Sequence, residues 1–73
     1  MAAHNTQLLD VVALTAPVPD KGLLRGQVGT VVELLAPGVV EVEFADEQGH
    51  SYAQLALPEN QLLVLHFQPQ QAA

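Results

Sequence analysis

Positive charge is nearly missing from this 73-residue chain: Lys21 and Arg25 stand alone against eight acidic residues, for a net charge of −6. Nucleic-acid binding draws much of its affinity from cationic contacts with phosphates, so a nucleic-acid partner is excluded as the expectation. The same deficit argues against an anionic membrane surface and leaves a basic protein partner, or plain solubility, as the use of the acid. Cysteine is absent. That removes disulfides and thiolate metal sites, and it suits a cytoplasmic protein. Tryptophan is absent too, and Phe44, Tyr52 and Phe67 are all the aromatics there are, too few for both a core and an aromatic groove for proline-rich ligands. No apolar run nears the ~18 residues of a membrane span. The opening MAAHNTQ has neither the cationic start nor the apolar stretch of a secretory signal. A soluble cytoplasmic protein is expected.

What the chain does have is apolar residues in short runs, 49% of the total. The length allows one domain, and a chain of this size hides only roughly 60% of the surface its unfolded form exposes. Arg25 to Phe44, RGQVGTVVELLAPGVVEVEF, reads as two strands about a turn, with Pro37-Gly38 breaking it and Glu41 and Glu43 alternating with Val40, Val42 and Phe44. Strands are expected at Leu8–Leu14, Gln27–Leu35, Val39–Ala45, His50–Leu57 and Leu62–Phe67. Pro58–Gln61 reads as one turn of helix before the last strand. The order is that of an all-β, five-stranded SH3-like barrel over residues 8–67, with a flexible lead at 1–7 and a disordered tail at 68–73. Closure of such a sheet also removes exposed edges.

The motifs add a resemblance. Ala13-Leu14-Thr15, then Pro19-x-x-Gly22-Leu23-x-x-Gly26, then Gly29-Thr30-Val31-Val32-Glu33, then Glu41-Val42-Glu43-Phe44 resemble a family of small bacterial proteins catalogued only as a domain of unknown function. The resemblance runs from Leu8 to Leu65 and implies the fold without an activity. RGQVGTVV is also similar to a corner of the barrel domain in the nitrile hydratase β subunit. The family likeness implies, as an alternative role, an antitoxin or immunity protein that inhibits a partner toxin.

Candidate chemistry is thin. His4, His50 and His66 have no metal-ligand spacing, so no metal or other cofactor is expected. Ser51 adjoins His50, but strand neighbours point to opposite faces, which keeps nucleophile and base apart. Glu41 and Glu43 share a face that reads as solvated, so no enzyme is expected. Gly22, Gly26 and Gly29 precede a strand without a Gly-Lys-Ser sequence, and with Gly38 they read as structural corners rather than a phosphate cradle.

The apolar doublets carry more. Leu8-Leu9, Val11-Val12, Leu23-Leu24, Val31-Val32, Leu34-Leu35, Val39-Val40 and Leu62-Leu63 recur along the chain. A doublet within a strand sends one side chain to each face. A small barrel has one inside, so some members must face out and form a contact surface. The expected interface is Leu23 and Leu24 with Lys21 and Arg25 beside them, joined by Leu62 and Leu63. The expected function is a non-enzymatic protein–protein interaction or accessory module, self-associating as a homo-oligomer or bound to another, possibly basic, protein.

Overall fold

The computed structural model describes residues 4–70. Strands β1 (Val11–Leu14), β2 (Val28–Leu34), β3 (Val39–Ala45), β4 (Ser51–Pro58) and β5 (Leu62–Val64) form a single antiparallel sheet in the order β4-β3-β2-β1-β5. Short 3-10 turns at Pro19–Lys21 and Glu59–Gln61 are the helical elements among the described residues, the second lying just before the last strand. The all-β, five-stranded expectation holds.

Period-two alternation builds the core. Val40, Val42 and Phe44 of β3 face inward with Val12 and Leu14 of β1, Val31 of β2 and Leu57 of β4. Val18, Ala53, Leu55, Leu62 and Val64 pack against them. Leu23, from the loop after the first 3-10 turn, joins this face. Gly29 lies where two strands press together. A Cβ there would come within 2.7 Å of the Val42 side chain and 2.9 Å of the Glu43 carbonyl oxygen, so only glycine fits.

A bulge in β2 decides where the charges go. Thr30 pairs with Glu43 and Val31 with Val42, but the register then shifts so that Glu33 opposes Glu41 and Leu34 opposes Val40. In unbroken register Glu33 would have faced Val40 in the core. The extra residue returns the carboxylate to the outer face, as a bulge re-aims side chains.

The expected first strand is shortened at its start. Leu8 and Leu9 belong to a corner in which the Asp10 N–H donates to the Gln7 carbonyl and the Gln7 N–H to the Asp10 carboxylate. Leu9 takes the left-handed φ of 70° there. The last strand likewise ends at Val64 rather than Phe67. Of the lead and tail expected at 1–7 and 68–73, residues 1–3 and 71–73 lie outside the described residues. Residues 4–7 are tied down rather than free. Thr6 is buried, and its backbone N–H and hydroxyl both donate to Glu59 Oε2, at 2.6 and 2.5 Å. His4 Nδ1 sits 3.8 Å from the same oxygen. The Glu59 N–H in turn donates to the Gly38 carbonyl. One residue, Glu59, thus joins the lead through its carboxylate and the β2–β3 turn through its backbone N–H.

Candidate interaction surface

Leu23 corrects the interface expected from the sequence. Pro19–Lys21 makes a 3-10 turn closed by Gly22 in the left-handed conformation, its N–H bonded to the Pro19 carbonyl. That reversal lets Leu23 and Val18 exchange hydrogen bonds. Leu23 therefore points inward and is 2% exposed, whereas Leu24 is 71% exposed. The doublet rule holds even in this loop: one leucine seals the core and its neighbour faces water. Leu62 and Leu63 divide the same way, with Leu62 against the core and Leu63 57% exposed. Leu23 cannot meet a partner, because burying it is part of what closes the fold; Leu62 is half-buried against the core. Lys21 stays exposed at the end of its turn.

The outer face can be read off the register. Ala13 pairs with Leu63 on one side and Val28 on the other; by strand parity all three share the outer face, where Leu63 and Val28 are exposed and Ala13 is covered between them. One row along, the Leu65 N–H donates to the Val11 carbonyl and Val11 pairs with Thr30. The strip continues to a mixed groove, lined by Leu9, Val11, Leu65 and Phe67 together with Asp10, His66 and Gln68, where Leu9 is 74% and Phe67 85% exposed. At its other end Arg25, Gly26, Ala13 and Leu63 line a recess of about 280 Å³. The Gly26 N–H holds that loop to β1 by donating to the Leu14 carbonyl. Arg25 and Leu63, expected in one interface, are indeed neighbours. Leu24 lies to the side, where Gln27 accepts its N–H and donates to the Tyr52 hydroxyl.

Next to the apolar strip the same face turns acidic. Glu43 pairs with Thr30 and Gln54, and Glu41 pairs with Glu33 and Ala56. Glu33 and Glu41 sit directly across the ladder, where like charges repel. The Gln54 side-chain amide donates to Glu41 at 3.2 Å. Among the described residues the close charged pairs are His4–Glu59 and His50–Asp46, so neither Lys21 nor Arg25 neutralises this flank.

Among the described residues no three His, Cys, Asp or Glu side chains gather as a metal-binding group. His50 is held in the β3–β4 turn, its N–H donating to Asp46. No helix of the described chain is long and apolar enough to cross a membrane. The sequence signal that would have located the strip was the outward parity of Val11, Ala13 and Val28.

A family model described as Domain of unknown function (DUF4926) matches residues 8–64, in agreement with the resemblance carried by the glycine and glutamate motifs. No curated protein and no solved structure matches the chain.

Proposed function

We propose that this chain, which belongs to the DUF4926 family, is a cytoplasmic, non-enzymatic protein-interaction module that works by offering the outer face of its sheet to another protein. The observation that carries this reading is the apolar strip. Leu63 and Val28 are exposed on either side of Ala13, and Leu9 and Phe67 are exposed in the groove that Val11 and Leu65 share with them. A small chain gains nothing in its own stability from apolar side chains left in water, whereas grouped ones mark a contact surface. Arg25 stands at one end of the strip beside Leu63 and serves as part of its rim.

The test is affinity capture from the protein's own cells with two baits, the native chain and the double variant Val28→Lys, Leu63→Glu. Both substituted positions are exposed, so the variant keeps its fold, which circular dichroism would verify. The expected result is one stoichiometric partner recovered by the native chain and lost by the variant. Equal recoveries from both baits would overturn the reading.

A further inference from the structure

We infer that the occupant of this face is a cationic amphipathic helix of a partner protein, laid along β1 and β5 with its basic flank over Glu33, Glu41 and Glu43. The inference rests on the interaction reading above and adds the chemistry of the partner. Three features argue for it. From Leu63 and Ala13 the strip follows β1 for two residues to Val11, about 6.6 Å at the usual rise per residue, and then passes into the groove at the Leu9 corner. The strand part alone accepts one full turn of α-helix, and the groove extends the bed beyond it. Glu43 and Glu41 stand two residues apart on β3 and on the same face, so they are about 6.6 Å apart along the strand. Residues four apart on a helix advance about 6 Å. Lysines or arginines at i and i+4 on one side of an apolar stripe would therefore each meet a carboxylate while the stripe covers Leu63, Val11 and Leu9.

The charge pattern gives the direction of preference. Glu33 and Glu41 oppose each other across β2 and β3, and the close charged pairs of the described residues leave this flank without a cation. A cationic partner relieves a repulsion already present in the free chain, so complementarity selects it. A second copy of this chain has the reverse character. It would bring a second net charge of −6 against the first.

The experiment uses two synthetic helical peptides that share one leucine stripe. One carries lysines at i and i+4 beside the stripe, and the other carries glutamates at those positions. Binding to the full chain is followed by fluorescence anisotropy at two salt concentrations. The lysine peptide should bind, and its affinity should fall with salt. Glu41→Gln with Glu43→Gln should weaken it by about tenfold, the combined worth of two rim ion pairs. Leu63→Glu or Val28→Lys should remove binding. Asp46→Asn with Glu47→Gln, acids of the β3–β4 turn outside the Glu33, Glu41 and Glu43 flank, should leave it unchanged.

Equal binding of both peptides, no binding of either, or equal weakening by the turn variants would overturn the inference. So would a concentration-dependent dimer of the chain that Leu63→Glu dissolves, which would give the face to a second copy. If neither peptide binds but the native chain still captures a cellular partner that the double variant loses, the interaction reading stands and only the helix assignment fails. If the double variant captures that partner equally well, both fail.

Discussion

Replacing Thr6 by valine keeps its shape and removes one hydrogen bond, and the structure says the loss should be large. Glu59 is buried, with Oε2 receiving both the Thr6 hydroxyl and the Thr6 N–H. Burial alone pushes the Glu59 carboxyl upward. The Thr6 hydroxyl, the backbone N–H groups of Asn5 and Thr6 and the charge of nearby His4 outweigh it and hold the group below its ordinary value of 4.5. A hydrogen bond to a charged group contributes about 1.5–3 kcal/mol. Its removal also leaves a buried carboxylate less satisfied, so a loss in this range is expected for Thr6→Val. A chain of this length has roughly 4–11 kcal/mol of stability in all. Loss on that scale lowers the melting temperature by on the order of 10 °C.

The same clasp fixes a pH dependence. Because the folded state holds Glu59 more acidic than the unfolded state does, the unfolded chain binds more protons near the unfolded value, and stability rises with pH there. The contribution is fully present above the unfolded value of 4.5 and is lost as pH falls through the lower folded value. The assay is urea denaturation of the native chain and Thr6→Val from neutral pH down to pH 3. The stability gap should be widest near neutrality and close in acid. A gap under about 0.5 kcal/mol at neutral pH, well short of the usual worth of a charged hydrogen bond, would refute the argument that this carboxylate holds residues 4–7 to the fold. So would a gap that grows in acid.

Other positions give sharp contrasts. Gly29→Ala should destabilise the chain by about 2–4 kcal/mol in thermal melts, since its new Cβ meets the Glu43 carbonyl at 2.9 Å and backbone cannot yield as a side chain can. Leu23→Ala should cost about 2–5 kcal/mol by chemical denaturation and Leu24→Ala less than about 0.5, because only the first is in the core. Leu9→Gly should leave stability unchanged or raise it by about 1 kcal/mol. It relieves a left-handed leucine at φ 70° whose side chain lies in solvent; a loss of more than about 1 kcal/mol would mean that the Leu9 side chain supports the fold.

The strands were legible because β3 and the turn before it obey the simplest rules. Val39–Ala45 alternates without a break, and Pro37-Gly38 carries a tight turn in which the Val39 N–H reaches the Ala36 carbonyl. Leu8 and Leu9 were misread as strand because the pattern of apolar residues does not register a corner locked by Gln7 and Asp10. The tether on residues 4–7 was hidden for a different reason. Thr6 and Glu59 are 53 residues apart, and a glutamate beginning a helical turn looks like any solvated acid until its partner folds against it. Leu23 was assigned to the surface because no loop residue is sorted by strand parity until its own hydrogen bonds are known. Here Val18 supplies them.

The outer face shows most clearly how one local irregularity shapes a surface that composition cannot reveal. Read in plain register, VVELL in β2 would place Glu33 inside, opposite Val40, and expose Val32 beside Glu41. The acid flank would then hold only the β3 pair, and a carboxylate would be buried without a partner, an arrangement that costs far more than a bulge. Shifting the register between Val31 and Glu33 removes that penalty but sets Glu33 against Glu41, exchanging a forbidden burial for a tolerable repulsion. The surplus negative charge of the sequence is therefore not spread evenly over the molecule. Part of it is concentrated by the bulge, beside the apolar strip of β1 and β5 and with no internal cation to answer it. A contact that is apolar along one edge and acidic along the next can be satisfied fully only by a partner with the complementary division. Glu41 and Glu43 of β3 set the direction of that division, and the single extra residue in β2 deepens it by adding Glu33 to the same side.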